Sequence, residues 1–187
     1  MKLRNCIRMS LINNVQSNIR MKKIVVIVLL GMFNLFHSQT SNPNLNSQLQ
    51  MMRKYFLEKK YDEFLNFTYP KVIEMMGGRE KSIKTTEATI KKMENDGLAF
   101  VNIKFKDPSK FIKKGTETQF TITQELLMKT PKGNILANYT MIGISNDNGK
   151  NWKFIDTSGK SKDVMRKYFP NLSPDIVIKP KNQKLVN

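Results

Sequence analysis

Residues 119–145 read QFTITQELLMKTPKGNILANYTMIGIS. Phe120, Ile122, Leu126 and Met128 fall on one side of an alternating pattern, with Thr121, Thr123 and Glu125 on the other. A period of two is that of a half-buried strand. Gln124 is the polar exception on the apolar side. Pro131-Lys132-Gly133-Asn134 is turn chemistry, and a return strand is expected from Ile135 to Ser145. The stretch therefore predicts a long antiparallel hairpin.

The same period extends to both flanks. Upstream, Val101, Ile103 and Phe105 alternate with Asn102 and Lys104, and Pro108 ends that strand. Downstream comes the octapeptide SNDNGKNW, residues 145–152, followed by a short strand from Trp152 to Asp156. In that loop an Asp147 carboxylate can accept backbone N–H groups, and Gly149 can take positive φ cheaply. Trp152, the only tryptophan, is expected to clamp the hairpin with its indole N–H on a nearby acceptor, fixing the register of the last two strands.

Before Leu98 the period is helical. Leu45, Leu49, Met52 and Phe56 form a stripe that Met51 and Tyr55 widen. Tyr61, Phe64, Leu65 and Thr68 make a second short unit, and Pro70 opens a third turn that Gly77-Gly78 ends. Ile83, Thr86, Ile90 and Met93 mark the inner side of a longer helix over about residues 79–95. After Asp156, DVMRKYF suggests one or two helical turns. PDIVIKP suits an edge strand or a strap across the surface, and the last residues, KNQKLVN, are expected to fray. Helices followed by an antiparallel meander predict an α+β class, with N-terminal helices packed on a curved antiparallel sheet.

That order resembles the cystatin-like and NTF2-like α+β fold over about residues 45–157. The resemblance implies a strongly bent sheet closing over the helices as a cone, and leaves open whether the interior is a ligand pocket or a solid core. The whole chain is also similar to small exported proteins of Bacteroidetes-type bacteria that have no assigned activity. Ser145, Asp147, Gly149 and Trp152 resemble the Asp-box, Ser-x-Asp-x-Gly-x-x-Trp, a hairpin element of bacterial neuraminidase propellers, with Asn151 where that pattern usually has Ser or Thr. The likeness implies loop bracing by Asp147, a turn at Gly149 and core packing by Trp152. One copy in 187 residues is too little for a propeller, so the hairpin is structural.

The net charge of +17 mixes two populations. The first 38 residues hold six bases and no acid, leaving 26 bases against 15 acids, a net +11, in the rest. MKKIVVIVLLGMFNLFHSQ explains the asymmetry. Met21-Lys22-Lys23 is a positive start, Ile24 to Phe33 is apolar apart from Gly31, and polar residues follow. This is the pattern of an export leader and is too short for a membrane span. The expected organisation is an extension foreign to the native product at 1–20, a signal peptide at 21–38, a polar linker at 39–44, an α+β domain at 45–169, and a C-terminal strap and tail at 170–187. The alternatives for 21–38 are an uncleaved membrane tether and a buried helix of a soluble protein. Cys6 and His37, the only residues of their kinds, both precede the expected mature start.

A mature chain without thiol or imidazole excludes Cys/His metal centres and thiol catalysis. No cofactor motif is present, and Asp147-Asn148-Gly149 has too few ligands for a calcium loop. Gly77-Gly78 is not a phosphate loop; an anion at the following helix, helped by Arg79 and Lys81, is the alternative to a plain helix joint. Scattered lysines without a recognition module argue against nucleic acid; a basic exterior suits anionic envelope components. Among the acids, Glu117 and Glu125 are expected on a solvated face. Asp156 should share the side of Trp152 and Phe154, as an end-of-strand cap or a pocket acid. Tyr139 reads as a core aromatic with a bonded hydroxyl, or as a proton-transfer partner of Asp156. The twelve methionines are expected to fill gaps between helices and sheet. The reading is an exported, periplasmic or secreted, non-catalytic binding protein for a small ligand or an envelope component. The alternatives are a pocket enzyme using a carboxylate and a tyrosine, and a membrane-tethered structural or assembly module.

Processing is directly measurable. N-terminal sequencing of the exported product should begin near Gln39; a start at Met1 or Met21 would replace the leader with an anchor.

Overall fold

The computed structural model describes residues 42–186, so the expected extension and leader, with Cys6 and His37, lie outside the described residues. The first helix, α1 (Pro43–Leu57), begins inside the expected linker. The Asn42 side chain accepts the N–H of Leu45 at 3.1 Å, and Pro43 occupies the first turn, a favourable start on both counts. Then come α2 (Tyr61–Leu65), α3 (Pro70–Met75) and α4 (Arg79–Asn95). Gly77 and Gly78 turn the chain between α3 and α4 with φ of 91° and 95°.

Six strands follow in one antiparallel sheet, making the molecule α+β. The expected hairpin is its centre: β3 (Glu117–Thr130) and β4 (Gly133–Ser145) pair from Thr118↔Ser145 to Thr130↔Gly133. The outer edge of β3 carries β1 (Ala99–Phe105) and β2 (Ile112–Lys114) end to end. The outer edge of β4 likewise carries β5 (Lys153–Asp156) and β6 (Asn182–Val186). A short helix, α5 (Lys162–Tyr168), stands between the last two strands. Ser161 caps it, accepting the Val164 N–H at 3.4 Å.

Both faces of the hairpin are covered. On one, Leu45, Leu49 and Met52 of α1 share a buried cluster with Phe120, Ile122, Met141, Trp152 and Phe154. On the other, Ile142, Ile144 and Ile155 pack with Met165, Phe169, Leu172 and Ile176 from the C-terminal segment. Residues 170–178 thus close a second core. Gln119, wholly buried, fixes them there: its amide donates to Asn171 O at 3.0 Å and accepts the Ser173 N–H at 2.9 Å.

Four sequence expectations need correction. The last residues form β6 against Asn134–Asn138 instead of fraying, because β4 offers an unpaired edge there. Glu117 is 7% exposed, since the C-terminal segment covers the face that β3 was expected to turn to solvent. Met51 is exposed and does not widen the α1 stripe. The strict alternation of β1 fails at Val101, which is 51% exposed. A β-bulge between Phe100 and Asn102 sets two steps of β1 against one of β3. Phe100, opposite Met128, and Ile103, opposite Leu126, therefore share the α1 side of the sheet.

Gly143 stands opposite both Phe120 and Phe154, and a Cβ there would clash with the edge of the Phe120 ring at Cε1 and Cζ. Gly143→Ala should therefore destabilise the fold by about 1–3 kcal/mol through overpacking, read from the denaturant midpoint. An unchanged midpoint would mean that the Phe120 ring has room to move.

Candidate functional site

Both faces of the sheet leave space unfilled, with clefts of about 200 and 210 Å³ on the side of the C-terminal segment. On the α1 side, beyond the packed cluster, a partly open cavity of about 310 Å³ lies between helices and sheet. Its size is at the lower end for small-molecule sites. Met52, Arg53 and Phe56 enter from α1, Phe64 and Leu65 from α2, Val72 and Met76 from α3 and its end, and Thr86 from α4. Phe100, Ile103, Phe105, Gln124, Leu126, Met141, Phe154 and Asp156 line it from the sheet. Three of the methionines expected to fill core gaps thus line a space. The bulge at Val101 is what brings Phe100 to the wall.

Polar groups are few and individually placed. Gln124 is 8% exposed, lines the cavity, and makes no side-chain hydrogen bond among the described residues. Arg53 is half-buried and pinned to β1. Its Nε donates to Ile103 O at 2.8 Å, and Nη2 donates to Asn102 Oδ1 at 2.7 Å. Asn102 Oδ1 also accepts the Ile103 N–H at 2.8 Å. No carboxylate pairs with Arg53 among the described residues. The Thr86 hydroxyl is already spent on Ser82 O within α4.

Asp156 lies at the end of β5, opposite Met141, on the side of Phe154. Its Oδ1 accepts the Ser158 N–H at 2.6 Å, so it both caps the strand end and lines the cavity. Desolvation raises its pKa above the ordinary value, opposed by the Ser158 bond and by Lys160. The residue retains solvent access at the rim, so this is a partly wetted acid and not a sealed one. Tyr139 pairs with Gln124 in the β3–β4 register, which places it on the same face. It is absent from the cavity lining, and its hydroxyl has no hydrogen-bond partner among the described residues. No bond joins Tyr139 to Asp156, so a carboxylate–tyrosine pair is not assembled.

The octapeptide has a different role. The Ser145 hydroxyl donates to Asp147 Oδ1 at 2.8 Å and accepts the Gly149 N–H at 2.9 Å. Asp147 also accepts the Asn151 backbone N–H at 2.8 Å and the Asn151 amide at 2.7 Å. Asn151, the departure from the Asp-box pattern, thus supplies a second donor to the brace. Asn148 and Gly149 take φ of 59° and 84°. Trp152 stacks edge-on to Phe120 at 4.9 Å and lies 5.7 Å from Phe111. Its buried indole N–H has no partner, against expectation, because the ring is inserted among aromatic and aliphatic groups. The loop's link to α1 runs instead through Gln48, which donates to Lys150 O and accepts the Trp152 backbone N–H, both at 2.8 Å.

Two other candidates are occupied by the fold. Arg79, beside Gly77-Gly78, donates to the Asp62 carboxylate at 2.6 Å and to Asn66 Oδ1 at 3.0 Å, which turns it from an incoming anion. Glu117 accepts the Gln119 amide at 2.6 Å, and Glu125 pairs with Lys106 at 3.1 Å. Among the described residues no His/Cys/Asp/Glu group could hold a metal, and no helix is long and apolar enough to cross a membrane. No protein-family model matches the chain, and no curated protein matches it.

Sequence reasoning passed over Arg53 and Phe100. Gln124 was visible as the one polar break in an apolar row; nothing in the sequence of α1 marks Arg53 as a cavity residue.

Asp147 gives a pH test. Its hydrogen bonds, first from the Asn151 backbone and then from the side chains of Asn151 and Ser145, lower its pKa from 3.8 to about 2. The ionised brace therefore stabilises the fold above about pH 4, and that contribution is lost as pH falls through about 2. Asp147→Asn should melt at a lower temperature than the parent near pH 7, with the gap closing between about pH 4 and pH 2. A gap independent of pH would show that the carboxylate charge is not what braces the loop.

Proposed function

We propose that the chain is an exported, non-catalytic binding protein that holds a small, mostly apolar ligand between its helices and a sheet curved over them as in the cystatin-like and NTF2-like cone. The single observation that carries this reading is the cavity of about 310 Å³, walled by aromatic rings and methionines with the Gln124 side chain among them. Aromatic rings and methionines suit an adaptable apolar site. The leader-like segment 21–38 supports export to the periplasm or beyond, and the basic balance of the remainder suits an anionic envelope surface. The pocket-enzyme alternative is disfavoured by the separation of Tyr139 from the cavity and by the lack of any histidine after residue 38.

The test is occupancy. The uncharged probe 1-N-phenylnaphthylamine should bind the full chain with a fluorescence rise. Met76→Trp or Thr86→Phe, each filling the space from a helix, should weaken that binding at least ten-fold without loss of fold by circular dichroism. Equal binding by parent and both filled variants would eliminate the cavity as a ligand site.

A further inference from the structure

The face of the sheet under the C-terminal segment holds an acid that the fold leaves only partly matched. Glu117 opens β3 and is 7% exposed. Gln119 donates to its Oε2 at 2.6 Å, while Oε1 takes no hydrogen bond among the described residues and is not sealed from solvent. No base among them pairs with it. Lys114, opposite on β2, makes no ion pair with it, and the Lys71 ammonium is turned to Glu74 at 2.6 Å. A buried carboxylate ordinarily has a cationic partner, because leaving water costs it more than one amide bond returns.

The cleft of about 200 Å³ beside Glu117 supplies the rest of a site. Tyr69, Ile144, Tyr168, Phe169 and Leu172 wall it. Tyr69 arrives from the turn between α2 and α3 and meets Phe169 edge to face, with centroids 6.1 Å apart at 78°. These two rings make a corner, and Tyr168 flanks it at the exposed rim. The Tyr69 phenol lies within electrostatic reach of Glu117: burial, then that charge, raises its pKa. Gln119 also bonds Asn171 O and the Ser173 N–H, which ties the Glu117 floor to the C-terminal wall before any ligand arrives. Ring faces attract a cation, and a nearby carboxylate adds to that attraction. A primary ammonium brings three donors, more than the one free carboxylate oxygen can satisfy, whereas a methylated nitrogen carries its charge behind an apolar surface. The space is below the usual range for drug-sized ligands, so it suits a head group and not a long chain.

We propose that this cleft binds a quaternary ammonium group, with its charge against Glu117 and its methyl groups against the rings of Tyr69, Tyr168 and Phe169. The cleft lies on the opposite face of the sheet from the cavity under α1, so the two sites stand or fall separately.

Choline and 3,3-dimethylbutan-1-ol share one shape and differ by a charged nitrogen against a neutral carbon. Isothermal titration calorimetry of the full chain near pH 7.5, in about 0.15 M sodium chloride to screen the basic exterior, should give choline a Kd at least ten-fold below that of the alcohol. Glu117→Gln removes the charge and keeps an acceptor for Gln119. It should weaken choline at least ten-fold and leave the alcohol within about two-fold. Tyr168→Ala, at the exposed rim, should weaken choline about three-fold, and it carries the test should Glu117→Gln fail to fold by circular dichroism. Phosphatidylcholine vesicles separate the two sources of the group: Glu117-dependent co-sedimentation assigns it to a lipid head group, and choline binding without co-sedimentation to a free solute. Equal affinity for choline and the alcohol, a preference that survives Glu117→Gln, full affinity in Tyr168→Ala, or no choline binding would overturn the proposal. None of these results would alter 1-N-phenylnaphthylamine binding in the cavity under α1.

Discussion

The β3–β4 hairpin has to be dry on both faces, and the rest of the structure follows from that requirement. Phe120, Ile122 and Met141 demand a cover on one side, Ile142, Ile144 and Ile155 on the other. An antiparallel sheet can leave one face wet, but the near-continuous apolar run of β4 from Met141 to Ile144 forbids it here. Two covers drawn from opposite ends of the chain meet the demand. Helix α1 supplies one, and α5 with residues 169–178 the other.

The covers are attached by different chemistry. The C-terminal segment is fastened through the buried Gln119 amide and through Thr140, whose hydroxyl exchanges hydrogen bonds with Lys179. Helix α1 is fastened by Gln48, which grips the loop between β4 and β5 at Lys150 O and the Trp152 N–H. That loop holds its shape because Asp147 and Ser145 satisfy its inward-pointing N–H groups. Trp152 then lies over Phe120 at the centre of the first core. Its orphaned indole N–H is a local cost, offset by the large apolar area the ring buries. Where α1 and the aromatic cluster diverge, the first face is not filled, and the cavity is what remains.

The fold class was legible because alternation and helical spacing are local. Phe120, Ile122 and Leu126 lie on one face as read, and Leu45, Leu49 and Met52 on one helix side. Asp147 and Gly149 were readable for the same reason, since a tight turn makes its hydrogen bonds within a few residues. The misreadings have non-local causes. Val101 looked inward because alternation was extrapolated through a bulge that only pairing with β3 creates. Glu117 looked solvated because its cover lies over fifty residues away in sequence, at Asn171 and beyond. The tail looked frayed because an edge strand of polar residues is defined by its partner β4, not by its own pattern.

By itself, then, the sequence determined the element types, the central hairpin, the braced octapeptide and the absence of thiol and imidazole after residue 38. Each is a property of neighbouring residues or of composition. Only the tertiary structure decided that an apolar hollow remains between the helices and the sheet, and that Arg53 and Gln124 line it while Tyr139 does not. A cavity is the volume that separately folded elements fail to fill between them. No single stretch of chain encodes it, because its walls come from four helices and four strands whose separation is set by packing.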